Sequence, residues 1–159
     1  MAISFLRFQR EALLLIKAFQ AKPLTAAVLS LIFAEMKKQE IVAVFENGKI
    51  IGFVSYRLNF TSDEIAEYDS YNLYVSTLVL GNNARGKGIT KKLYSHIFNE
   101  LYPERNIFTR TWSTNLAHIK ILNSFGFNEL VRKIVDRGKG IDTGYYKKDP
   151  IKPLRCKEG

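Results

Sequence analysis

The chain has 159 residues, 47% hydrophobic and 25% charged, with a net charge of +9. That length suits one domain over residues 1–159 with a core that needs no metal or disulfide, and the lone cysteine, Cys156, excludes an internal disulfide. No apolar run reaches the roughly 20 residues of a membrane-spanning helix and no leader with a small-residue cleavage site stands out, so a cytoplasmic protein with no membrane partner is the expectation.

Residues 2–40 read as mainly helical. Leu13, Leu14, Ile16 and Lys17 belong to a first element, and Leu24, Val28, Leu31, Ile32 and Met36 to a second whose first turn accommodates Pro23. A short strand over residues 3–8 stays open as an alternative for the start. Residues 41–45 and 49–60 flank Glu46-Asn47-Gly48, and Asn-Gly between two β-rich runs predicts a hairpin with a type I′ turn. The acidic stretch 61–70 reads as a loop, followed by a strand over residues 73–80.

A helix is expected from about residue 87 to 101, with Ile89, Leu93, Ile97 and Leu101 on its buried face. Pro103 marks its end, and a strand over residues 107–112 follows. Ser113 or Thr114 is the expected N-cap of the next helix, with Ala117, Ile121, Leu122 and Phe125 inward and Gly126 closing it. Residues 129–136 and 141–147 read as a last hairpin. Strands joined partly by hairpins and partly by helices predict an α/β (α+β) chain: a mixed, mostly antiparallel sheet of roughly six or seven strands with about four helices on its faces.

The charge is uneven. Residues 1–81 carry eight Lys/Arg and eight Asp/Glu, whereas residues 82–159 carry sixteen and seven, so the basic excess lies in the half that begins at the turn after residue 80. There an apolar strand runs through Arg85-Gly86-Lys87-Gly88 into a helix. Such a turn presents backbone N–H groups at the positive end of the helix dipole, which suits phosphate oxygens. The asymmetry favours an anionic ligand, against the alternative of a solvated basic surface.

Gly81-Asn82-Asn83-Ala84-Arg85-Gly86-Lys87 has the spacing of a nucleotide-triphosphate P-loop, but Gly88 stands where a Ser or Thr must hold magnesium. Arg85-Gly86-Lys87-Gly88-Ile89-Thr90 instead resembles the acyl-CoA signature of the GNAT-type N-acetyltransferases, departing from it at Thr90. The stretch from Asn115 to Phe127 resembles the later segment of that family, in which an Asn begins a helix and Gly-Phe ends it. The resemblance implies the GNAT fold, acetyl-CoA as cosubstrate and an unidentified amine as acceptor, small molecule or protein. It implies cofactor contacts from Leu78, Val79 and Leu80, which offer backbone groups to the pantetheine arm, from Arg85, Gly86, Lys87, Gly88, Ile89 and Thr90 around the pyrophosphate, and from Asn115. Helix capping is the alternative role of Asn115.

Transfer to an amine needs a proton acceptor, a polarised thioester carbonyl and a proton for the leaving thiolate. The resemblance implies a backbone N–H, that of Leu78, for the carbonyl oxygen. The family's helical Tyr falls at Leu122, and the Glu of some branches falls at Tyr74. Candidate proton-transfer groups are therefore Glu64, Glu67 and Asp69, with Tyr74, Tyr145 and Tyr146 as donors; the expected catalytic set is Tyr74, Glu67 and Asn115. His96 falls on a polar helix face, and His118 lies where a ligand contact is open. No Cys/His or carboxylate spacing indicates a metal.

Arg85-Gly86-Lys87-Gly88-Ile89 recurs as Arg137-Gly138-Lys139-Gly140-Ile141, where the residues that follow lack helical periodicity and a hairpin turn is expected. The competing functions are a non-catalytic acyl-CoA-binding module and a nucleic-acid-binding protein. The second is disfavoured because the aromatic residues occupy core-like positions instead of alternating with Lys and Arg. A homodimer stays open.

Overall fold

The computed structural model describes residues 3–9, 39–63 and 69–152. In chain order these form β1 (Ile3–Gln9), β2 (Glu40–Glu46), β3 (Lys49–Leu58), β4 (Asn72–Leu80), a short 3-10 turn (Asn82–Ala84), α1 (Ile89–Ser95), a π-helical turn (His96–Leu101), β5 (Asn106–Trp112), α2 (Leu116–Ser124), β6 (Asn128–Lys133) and β7 (Thr143–Lys148). The sheet has seven strands in the order β1-β2-β3-β4-β5-β7-β6. The β1–β2, β2–β3, β5–β7 and β6–β7 pairs are antiparallel and β4–β5 is parallel, which is the expected mixed sheet.

Two α-helices stand among the described residues where about four were expected. The N-terminal alternative resolves as a strand at residues 3–9, and residues 10–38, which carry the other two expected helices, lie outside the described residues. No helix of the described residues is long and apolar enough to cross a membrane.

The chain divides into two compact units, Met1–Arg57 with Ser76–Tyr94, and Leu58–Val75 with Ser95–Gly159. In the first, Asn47 and Gly48 both take positive φ, 50° and 75°, as the predicted type I′ turn requires. Ile41, Val42, Ala43 and Val44 are all 1% exposed or less, so both faces of β2 are covered. Helix α1 begins at Ile89, two residues later than expected, because Gly86 and Gly88 take φ of 75° and 72°, outside helical geometry. Ile89 and Leu93 are buried as the periodicity predicted.

In the second unit the helical path widens into the π turn, where Tyr102 N–H donates to the Ile97 carbonyl at 3.0 Å and Ile97 and Phe98 are both buried. Gly126 (φ 82°) ends α2 in a Schellman arrangement: its N–H donates to the Asn123 carbonyl and that of Phe127 to the Leu122 carbonyl. Phe127 then packs on Phe98, ring centres 5.7 Å apart. On the expected inward face Leu122 is fully buried, but Ala117 is exposed, since a methyl group forgoes little by remaining in water.

The start of β4 is tied down by Asn72, which is fully buried. Its side-chain amide donates to the Phe60 and Asp69 carbonyls and its oxygen accepts from Phe60 N–H at 3.0 Å. Arg105 donates to the Asn72 carbonyl (3.0 Å) and to Asn59 Oδ1 (2.8 Å) while its guanidinium covers the Tyr71 ring. A buried amide hydrogen-bonded through both its nitrogen and its oxygen, as that of Asn72 is, fixes one arrangement of the chain at the entry to the strand that leads to the basic turn.

Candidate active site

In the first unit, Gly81 leaves β4 extended (φ −63°, ψ 155°) and its carbonyl accepts from Ala84 N–H, closing the 3-10 turn. Arg85 is extended again, and Gly86 and Gly88 turn left-handed before the first helical bond, from Lys92 N–H to the Gly88 carbonyl at 3.2 Å. No backbone carbonyl among the described residues accepts from the amides of Arg85, Gly86, Lys87 or Gly88. All four residues are exposed, and nothing stands within 4 Å of where a Cβ on either glycine would lie. Here the chain offers donors, positive charge and open room together, which fits a diphosphate. Lys87 is loosely tethered, its Nζ 3.9 Å from a Glu46 carboxylate oxygen. The far end of the predicted stretch differs: Ile89 and Thr90 are buried, 2% and 6% exposed, because α1 turns that side inward.

Strand β4 changes character along its length. Its parallel ladder with β5 runs from Asn72–Asn106 to Val75–Thr109 and stops there, although β4 continues to Leu80 and β5 to Trp112. At that last rung Thr109 Oγ1 donates to the Val75 carbonyl at 3.2 Å. Toward β3, Asn59 N–H donates to the Asn72 carbonyl and Gly81 N–H to the Ile51 carbonyl. Backbone polar groups alternate sides along a strand, so Asn72 facing β3, Val75 facing β5 and Gly81 facing β3 require a one-residue slip between Val75 and Gly81. Leu78, Val79 and Leu80, the expected cofactor contacts, lie in this half-exposed stretch.

In the second unit, Asn115 caps α2: its Oδ1 accepts from His118 N–H at 3.3 Å, in place of the Ser113 or Thr114 expected there. Ser113 is engaged elsewhere, with its N–H on the Asp142 carbonyl and its Oγ accepting from Asp142 N–H, both 2.9 Å. Capping occupies the oxygen of Asn115 and leaves the amide nitrogen of an exposed side chain as a donor.

A family model described as the acetyltransferase (GNAT) family matches residues 9–127. The chain belongs to that family. As a GNAT protein it is an acyltransferase, and acetyl-CoA is its cosubstrate. No curated protein matches it by sequence. Among solved structures, the ribosomal-protein-S18-alanine N-acetyltransferase of Escherichia coli is similar in fold, with a TM-score of 0.71 at 14% identity over 99% of each chain. Naa50 of Arabidopsis thaliana, in complex with the bisubstrate analogue CoA-Ac-MVNAL, gives 0.64 at 18% identity over 94% of this chain and 99% of that one. An N-acetyltransferase of Staphylococcus aureus gives 0.65 at 20% identity over 94% and 99%. At these identities the likeness shows the fold.

The GNAT chain's candidate proton-transfer groups have distinct surroundings. Tyr74 is 8% exposed, with its ring stacked on Phe60 at 4.4 Å. Asp69 is committed to the β4 entry, its two carboxylate oxygens accepting from Tyr71 N–H and Asn106 Nδ2. Glu64 and Glu67 lie outside the described residues. Tyr146 donates to a Glu129 oxygen at 3.3 Å, and burial beside that carboxylate raises its phenol above the usual range. Tyr145 is buried, with Lys133 5.8 Å from its ring centre. Leu122, where the sequence resemblance puts the family's helical Tyr, is fully buried. His96 pairs with Glu100 one turn on, at 2.7 Å. His118 is half-buried and desolvation lowers its pKa, which favours the neutral imidazole at neutral pH. No group of three or more His, Cys, Asp or Glu among the described residues is arranged to hold a metal.

The second Arg-Gly-Lys-Gly lies in the β6–β7 connection, as expected of a turn. Gly52 lies inside β3, and a glycine inside a strand is the signal that marks a bulge or a close backbone approach.

Proposed function

We propose that this chain transfers the acetyl group of acetyl-CoA to a primary amine by direct attack, within one acetyltransferase domain. The observation that carries the reading is the exposed Arg85–Gly88 turn, with its unpartnered amides and open glycines at the end of a strand that outruns its parallel ladder. In this reading the turn grips the diphosphate, with the Arg85 and Lys87 charges balancing it and the buried Ile89 and Thr90 anchoring the helix behind it. Counted back from Gly81, the backbone groups of Leu80 and Leu78 turn away from β3, where they pair with the pantetheine arm. The Leu78 N–H donates to the thioester oxygen as charge gathers on it. Asn115 Nδ2 is a further proposed donor to the cosubstrate.

The amine nitrogen bonds to the acyl carbon as the carbon–sulfur bond breaks, the amine gives up one proton, and the thiolate takes one. A free alkyl amine has a pKa of about 10, so a proton acceptor is needed near neutral pH. Glu67 and Tyr74 are the proposed acceptor and donor. Positioning of the amine against the thioester carries much of the rate, because fixed geometry replaces a bimolecular encounter. A panel of small amines and peptide N-termini, read by release of free CoA thiol, tests the reaction; thiol release that no amine accelerates would overturn it.

A further inference from the structure

Gly52 sits in the middle of β3, where the β2 register shifts: Val44 pairs with Gly52, Phe45 with Ile50, and Ile51 is the extra residue of a bulge. The Ile51 carbonyl accepts from Gly81 N–H at 2.8 Å, so the bulge holds the first residue beyond β4. A Cβ on Gly52 would stand 2.8 Å from the Val79 carbonyl oxygen and 2.7 Å from Leu80 Cδ2. Both contacts are shorter than side-chain carbons tolerate, and the first is with backbone that cannot rotate away. Gly52 has no positive φ to account for its presence, unlike Gly48, Gly86 and Gly88. What it provides is room for Val79 and Leu80.

We infer that Gly52 is a positioning residue for acetyl-CoA, acting through Val79 and Leu80: its missing Cβ and the Ile51 carbonyl together set where the end of β4 lies and hence where its backbone donors and the basic turn meet the cosubstrate. This rests on the proposed use of Leu78, Leu80 and the Arg85–Gly88 turn. A Cβ at residue 52 displaces the end of β4 and misplaces those groups. The effect therefore falls on acetyl-CoA binding more than on the amine.

The test compares Gly52→Ala with Gly48→Ala, which strains a left-handed turn with open space around it. Titration calorimetry with acetyl-CoA and steady-state kinetics are read alongside thermal melting. Gly52→Ala is expected to raise Kd and KM for acetyl-CoA about tenfold, with the amine KM unchanged within about twofold. Gly48→Ala is expected to lower the melting temperature and leave Kd alone. The double variant Gly52→Ala/Leu80→Ala removes the 2.7 Å contact but not that with the Val79 carbonyl, and is expected to recover part of the lost affinity. Should Gly52→Ala fail to fold, the double variant is read against Leu80→Ala, and Kd must still rise. A folded Gly52→Ala that binds acetyl-CoA as the parent does, or that weakens binding no more than Gly48→Ala, overturns the inference alone. A parent protein that fails to bind acetyl-CoA overturns the functional reading with it.

Discussion

The pentapeptide Arg-Gly-Lys-Gly-Ile occurs twice and folds two ways. In both copies the glycines are left-handed, with φ of 75° and 72° at Gly86 and Gly88 and 117° and 77° at Gly138 and Gly140. The amides differ. In the second copy Arg137 N–H donates to the Ile141 carbonyl, Gly138 N–H to the Val135 carbonyl and Ile141 N–H to the Gly138 carbonyl, so the loop consumes its own donors. In the first, the Gly88 carbonyl accepts from Lys92 N–H and starts a helix, and the turn makes no such set of bonds to itself. Thr90-Lys91-Lys92-Leu93 continues one copy with helical periodicity, while the other leads through Asp142 into the strand that begins at Thr143. Flanking sequence, and not the motif, decides whether these donors remain available to a ligand.

Paired substitutions test that contrast. The largest effect is expected from Gly88→Glu, which sets a carboxylate into the space over the turn: acetyl-CoA affinity falls by more than about a hundredfold while the circular dichroism spectrum stays unchanged. Gly140→Glu makes the same change in the second copy and should cost about 1 kcal/mol of stability from its left-handed backbone without altering that affinity. Equal losses of affinity in the two variants would erase the distinction. Next, Arg85→Ala should weaken acetyl-CoA binding about tenfold by calorimetry, and Arg137→Ala by less than about twofold.

A smaller effect separates two roles of Asn115. Asn115→Ala removes the cap and should destabilise the protein by about 1 kcal/mol in denaturant titrations. Asn115→Asp retains the capping oxygen but loses the amide donor, so it should keep the stability and still raise KM for acetyl-CoA; an unchanged KM would leave capping as the whole role.

The smallest effect concerns His118. Burial lowers its folded pKa below the usual 6.5, so under that pH the unfolded chain binds more protons. Stability should therefore fall as pH drops from about 6.5 through the folded value, and His118→Gln should flatten that limb in melts recorded across pH.

Much of this was legible locally. Asn47-Gly48 dictates its hairpin because few residues other than Asn and Gly take left-handed φ at low cost, and Gly126-Phe127 dictates the end of α2 for the same reason. The basic glycine turn between an apolar strand and an amphipathic helix could be read as an anion site without any contact map. Less was legible about proton transfer. Asp69 looks like a free loop acid in sequence, yet its oxygens are taken by Tyr71 and Asn106. The Tyr74 ring lies stacked on Phe60, a contact that no local pattern announces.

The amino-acid sequence by itself determined the hairpin and the turn that gathers positive charge, because each follows from φ preference and spacing within a short stretch, and the likeness of two motifs to a known family pointed to the family. Only the tertiary structure decided where the β4–β5 ladder ends, that β4 slips by one residue between Val75 and Gly81, that Asn115 is the cap in use, and what stands against residue 52. Those features depend on partners far away in the chain, and a local pattern carries no record of which distant atom will stand less than 3 Å away.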